Sequence, residues 1–177
     1  VLQSLYDRGK ELIPECLIED DSSWISWNRV HDFYDDHPYG NNHTWSDTLE
    51  KLEAYMAPRA QKPLVLGEAI AADTWNTMYF DSDVLNSVHH LKSVSRQEEY
   101  KRQLQKWCGV DAIDYLENDA RRNGMSMRRF QVERYREQMP GQGYVISVLR
   151  DFPFASMGLV DFQNRMKWRE NEWSWHR

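Results

Sequence analysis

The chain has 177 residues, 41% of them hydrophobic and 28% charged, enough for one domain with a proper core. Its formal net charge is −6, from 22 basic and 28 acidic residues with the signs interspersed, which gives no support for nucleic acid or an anionic membrane as partner. No apolar run approaches membrane-spanning length and no signal peptide opens the chain, although a start on Val1 instead of Met leaves room for a preceding targeting sequence.

In chain order, Leu2, Leu5 and Tyr6 share a helical stripe in Val1 to Lys10, with Gly9 placed as its stop. Cys16-Leu17-Ile18 reads as a short strand running into the polar loop Glu19-Asp20-Asp21-Ser22-Ser23. Cys16 and Cys108 make neither a disulfide framework nor a metal-ligand spacing, so both are expected to be free and mostly buried. Val30 to Tyr34 is a second candidate strand, ending in Asp35-Asp36-His37-Pro38-Tyr39. Thr44 to Met56 predicts a helix with Ser46 as N-cap, a core stripe of Leu49, Leu52 and Met56, and Pro58 beyond its end. Lys62-Pro63-Leu64-Val65-Leu66-Gly67-Glu68-Ala69 follows, a continuous apolar run opened by a proline and closed by Gly-Glu. Such a run reads as a strand buried on both faces, the kind found in parallel sheets.

From Ala69 to about Val94 there is no clean period, which predicts a functional lid or helices hidden from a periodicity reading. Ser95-Arg96-Gln97-Glu98 is a capping box that opens a helix through Trp107. Asp111 to Arg122 predicts another, with Ile113 and Leu116 inward and Gly124 after its end. A third runs from Ser126 to Met139, with Phe130 and Tyr135 among its apolar positions, and stops at Pro140-Gly141. Tyr144 to Leu149 is the clearest strand, ending at Arg150-Asp151, and the remainder to Arg177 has turn signals and aromatics but little period.

Strands separated by helices argue for parallel β/α units. The apolar runs end in acids or in Gly-Glu, and charges gathered at one end of successive buried strands are the pattern of an active-site face. Glu68 is the candidate that this places best, against the plainer reading of a solvated acid in a loop. His37, between Asp36 and Pro38 at a strand end, is a second candidate, although a lone histidine is more often structural. Asp20 and Asp21 are suited to sugar hydroxyls, because a carboxylate accepts two at once, and equally suit an acidic turn. Trp75 is a candidate stacking platform or a packing residue of its loop, since eight Trp, nine Tyr and six Phe supply many rings for either use. His31, His43, His89, His90 and His176 form no metal-site spacing.

Several of these segments resemble a known group. Lys62 to Glu68 is similar to the seventh strand of a clan A glycoside hydrolase, whose terminal Glu is the catalytic nucleophile. Asp36-His37-Pro38-Tyr39 resembles the end of the sixth strand in its family 2-like members. Gly143 to Asp151, then Gly158-Leu159-Val160-Asp161-Phe162 and Lys167, resembles the eighth strand and the loop after it, and Ile18 to Ser23 sits where the fifth would be.

The resemblance implies a (β/α)8 TIM barrel, of which this chain carries roughly strands five to eight. Residues 1–165 would then be the C-terminal half of the barrel and 166–177 a tail or linker. It implies Glu68 as nucleophile of a retaining exo-β-glycosidase, of the β-galactosidase or β-glucuronidase kind. Such an enzyme needs a second carboxyl about 5 Å away to protonate the leaving oxygen. The family's acid/base belongs to an Asn-Glu pair that would precede Val1, so Asn171-Glu172 reads as tail. Tyr39 is implied as a hydrogen-bond donor to the nucleophile, with a core-edge tyrosine as the alternative, and His37, Asp21, Trp75 and Asp151 as substrate-binding residues. Clan members present a tryptophan near the last strand, where this chain has Leu149-Arg150-Asp151; Arg150 would suit a uronate or pair with an acid. The partners implied are a carbohydrate and the remaining half of the barrel, with homo-oligomerisation open and no cofactor, metal, nucleic acid or membrane. A periplasmic or secreted setting is favoured over a cytoplasmic one. A catalytically silent sugar-binding relative is the alternative, and a metal-dependent barrel hydrolase a third reading.

Overall fold

The computed structural model describes residues 1–19, 22, 30–40, 42–74, 99, 102–109, 112–152, 155–161 and 163–176. It is a mixed α/β chain that divides into two compact units, one of Val1–Ile70 with Phe130–Ile146, the other of Ala71–Arg129 with Ser147–Arg177.

The first unit is built on a three-stranded parallel sheet in the order β1 (Tyr34–Asp36), β2 (Leu64–Ala69), β3 (Gly143–Ile146). Tyr34, Asp35 and Asp36 pair with Leu64, Val65 and Leu66, while Val65 and Leu66 pair with Gly143 and Tyr144. Alternation along β2 puts Leu64 and Leu66 on a dry face and leaves Val65 and Gly67 half-buried on the other. That dry face is covered by α2 (Trp45–Met56) and the C-terminal turns of α3 (Ala112–Gln138). Trp45, Leu49 and Leu52 of α2 and Val132 and Tyr135 of α3 are buried with it. Two polar groups inside this layer find backbone partners: Trp45 Nε1 donates to the Gln131 carbonyl (3.0 Å), and the Tyr135 hydroxyl to the Gly143 carbonyl (3.0 Å).

Several elements differ from their sequence expectation. Helix α1 (Leu2–Leu12) passes through Gly9 and ends before Ile13, which is non-helical at φ of −140° and ψ of 77°, as the following Pro14 disfavours the helical region there. A lone glycine inside a helix costs only about 1 kcal/mol, too little to stop it. Residues 16–18 form no strand: the Ile18 N–H donates to the Asp32 carboxylate (2.7 Å) and the Ile18 carbonyl accepts from Asp32 N–H (2.9 Å). Cys16, expected to be buried, is therefore exposed beside Leu17, and Cys108 is exposed as well; both are free. The strand expected over Val30 to Tyr34 lies later, because pairing with β2 begins at Tyr34. Helix α2 has Thr44, not Ser46, at its N-cap; Ser46 instead accepts a hydrogen bond from Arg134 Nε (3.1 Å). Strand β3 stops at Ile146, three residues before the apolar run does.

In the second unit, residues 102–108 are helical, and the two helices expected around Gly124 are one, α3. Gly124 is buried, and a Cβ there would sit 3.0 Å from Thr74 Cγ2, so the glycine serves close packing and not termination. The C-terminal residues belong to this unit. Trp168 and Trp173 are buried edge to face, centroids 5.5 Å apart, and Glu170–Trp173 form the short helix α4, whose Glu172 carboxylate caps the Arg169 N–H (2.6 Å). Among the described residues no helix is long and apolar enough to cross a membrane.

Candidate active site

Glu68 lies at the carboxyl end of β2, the central strand, on an irregularity of the β2–β3 register between Leu66 and Ala69. Bulges of this kind re-aim a side chain out of the pleat. Two residues on, buried Ile70 has φ of 52°, a left-handed conformation that a β-branched residue adopts at a cost of about 1–3 kcal/mol and only where its surroundings hold it. The chain thus turns sharply after Glu68, leaving its side chain 51% exposed at the strand end.

The residues after β1 close on that carboxylate. The Tyr39 hydroxyl donates to Glu68 Oε2 at 2.5 Å, and His37 Nδ1 stands 3.6 Å from the same oxygen. Pro38 between them is buried and the His37 N–H is taken by Asp36 Oδ1 at 2.7 Å, so the loop is held at both its backbone and its ring. Burial raises the Asp36 carboxyl above the usual carboxylate range, against the lowering effect of that N–H.

Beneath these residues lies Asp35, 1% exposed, on the same pleat face as Val65 and Gly67. Its Oδ1 accepts the Gly67 N–H (2.7 Å), and its Oδ2 accepts the Ser22 hydroxyl (2.6 Å) and lies 3.1 Å from His37 Nε2. Ser22 Oγ is also 2.8 Å from His37 Nε2. Any Cβ at position 67 would overlap the Asp35 carboxylate, so the glycine before Glu68 is what admits it. Asp35 and Ser22 are the members that sequence reasoning passed over. The available signal was a glycine beside the candidate carboxylate, which marks a close approach by some other group.

Of the residues predicted from sequence, Glu68, His37 and Tyr39 are brought together. Asp21 and Trp75 lie outside the described residues. Asp151 belongs to the second unit, where it is buried: its Oδ1 accepts from Lys167 Nζ (2.6 Å) and from the Gly158 N–H (2.7 Å). Lys167 Nζ also donates to Thr74 Oγ1 and the Ser156 carbonyl, both at 2.8 Å. Burial pushes Asp151 up and Lys167 down, and their mutual hydrogen bond opposes both shifts. Asp151 is thus buried and engaged with Lys167. Among the described residues no group of three His, Cys, Asp or Glu side chains is placed to hold a metal ion.

The first unit therefore presents a half-open carboxylate at the end of a parallel strand, gripped by a phenol and facing an imidazole. Such a group can attack an electrophilic carbon or accept hydrogen bonds from a polyhydroxylated ligand. Comparison with family models, curated proteins and solved structures finds no match to this chain.

Proposed function

We propose that this protein is a retaining β-glycosidase in which Glu68 is the nucleophile. The observation that carries the reading is the Glu68 carboxylate at the carboxyl end of the central parallel strand, bound by Tyr39 at 2.5 Å with His37 at 3.6 Å. Ends of parallel strands are where α/β enzymes gather their chemistry. In the double displacement, Glu68 attacks the anomeric carbon as the glycosidic oxygen leaves with a proton from a second carboxyl group, and water then releases the sugar. The Tyr39 hydroxyl holds the attacking oxygen in line, and the exposed half of Glu68 is the side open to the sugar. On the resemblance to clan A enzymes, the acid/base is expected from a strand ahead of Val1, the surrounding frame is expected to be a (β/α)8 barrel, and the substrate a terminal β-linked sugar.

A mechanism-based 2-fluoroglycoside should inactivate the intact protein and leave its mass on the peptide containing Glu68. Label on any other carboxylate overturns the assignment. Glu68→Gln should abolish hydrolysis of aryl β-glycosides while sugar binding persists. An intact wild-type protein that binds sugars but neither reacts with the label nor turns over a panel of aryl β-glycosides would be a silent binder instead.

A further inference from the structure

The carboxylate of Asp35 is a heavily engaged group in the first unit that the reaction above does not use. It is almost fully buried, one layer beneath Glu68. Among its contacts are two supports of the nucleophile: the backbone N–H immediately before Glu68, at 2.7 Å, and the ring that faces Glu68, at 3.1 Å. From Asp35 Oδ1, Gly67 N and the Glu68 backbone, and from Asp35 Oδ2, His37 Nε2 and Nδ1, two short routes converge on one carboxylate.

We propose that Asp35 is a positioning residue for Glu68, acting through the Gly67 amide and the His37 ring. This rests on the reading of Glu68 as nucleophile. A buried carboxylate accepts hydrogen bonds only, so the ring nitrogen against Asp35 Oδ2 must carry a proton. The Ser22 hydroxyl donates to the same Oδ2, which leaves its oxygen to accept from Nε2 and reinforces that choice. Nε2 therefore carries a proton, and Nδ1 is turned to Glu68 Oε2. At the other oxygen, the Gly67 N–H is one that the register irregularity between Leu66 and Ala69 would otherwise leave without its ladder. Asp35 thus takes up the backbone where β2 departs from regular pairing and sets the direction in which Glu68 projects. Residue 67 has to be glycine for this to happen, since a methyl group there would occupy the space of the carboxylate.

Asp35→Asn keeps the volume and can still accept at Gly67, but its amide presents N–H groups to Nε2–H and to Ser22, so the ring must turn or change tautomer. For this variant of the intact protein, kcat and the rate of Glu68 labelling by the fluoroglycoside should fall together by about 100-fold, with KM nearly unchanged, as for a misplaced reacting group. A folded Asp35→Asn protein that labels at Glu68 at the wild-type rate overturns the positioning role and leaves the glycosidase reading standing. Wild-type label on another carboxylate removes both. Should Asp35→Asn fail to fold, the wild-type protein still decides: nitrogen NMR of His37 should show a protonated Nε2, and an unprotonated Nε2 overturns the proposal. A role confined to folding would lower the melting temperature while the folded fraction kept the wild-type kcat, which also overturns it.

Discussion

Two buried-acid clusters, one in each unit, hold comparable groups in opposite ways. In the second unit, Asp151 and Lys167 have side chains only 2% and 4% exposed, and Thr74, Ser156 and Gly158 complete their hydrogen bonds. Arg128 is buried in the same unit, its NH1 donating to the Ser147 carbonyl (3.3 Å) and its NH2 to the Met157 carbonyl, and burial pulls its guanidinium down to about 10. In the first unit Asp35 is equally buried, but the network rises from it to Glu68 and Tyr39, each 51% exposed. A closed cluster spends its polar atoms on one another and specifies packing. A cluster that is buried at its root and open at its tip presents a fixed charge to a ligand, and that is the geometry catalysis requires.

The contrast can be broken most sharply at the two tips. Glu68→Gln should lower kcat by on the order of 10⁴-fold in single-turnover assays, with thermal stability within about 0.5 kcal/mol of wild type, as for an exposed side chain. A large loss of stability with activity intact would make the open cluster structural. Lys167→Met should do the reverse: breaking a buried pair leaves Asp151 uncompensated and should cost about 3–5 kcal/mol in urea unfolding. Adding Asp151→Leu should recover part of that loss, and no recovery would mean the pair is not the unit of stability.

Tyr39→Phe removes a hydrogen bond to a charged group without touching the core. It should lower kcat/KM by roughly 10- to 100-fold, since such a bond is worth about 1.5–3 kcal/mol, and leave the urea midpoint unchanged. A drop in stability with unaltered kcat/KM would return Tyr39 to the plain role of a core-edge residue.

An intermediate case lies at α1. Asp32 is partly exposed and accepts from Tyr6 (2.6 Å), Lys10 (2.6 Å) and the Ile18 N–H (2.7 Å), and the Lys10 and Tyr6 bonds hold its carboxyl down at about 2 from 3.8. A depressed folded-state value means the stabilisation is complete above pH 3.8 and fades as pH falls through about 2. Because both partners reach solvent, its size should be about 1 kcal/mol or less. Unfolding measured from pH 5 to pH 2 should lose that increment in wild type and not in Asp32→Asn; parallel curves would show the contact contributes nothing.

How far the sequence could be read depended on whether neighbours within a few residues decide the outcome. The proline-bounded run Leu64 to Ala69 and the Leu49 and Leu52 stripe of α2 are local patterns, and they appear as β2 and α2 close to their expected bounds. Gly9 and Gly124 are local signals that misled, because a helix tolerates one glycine when flanking residues or tight packing favour continuation. Cys16-Leu17-Ile18 misled for the opposite reason: an apolar triplet is a strand only if a partner edge is present, and here Asp32 takes both Ile18 backbone groups.

From sequence alone came the placement of Glu68 at the end of a strand and of His37 and Tyr39 at the end of another, since both follow from where apolar runs stop. Only the tertiary structure decided that these two ends meet, that Asp35 lies beneath them and that Asp151 is closed inside a different unit. The reason is physical: a run of residues dictates its own period, but which side chain fills the space left by a glycine depends on the register of strands far apart in the chain, and the residues that meet here, Tyr39 and Glu68, are 29 positions apart.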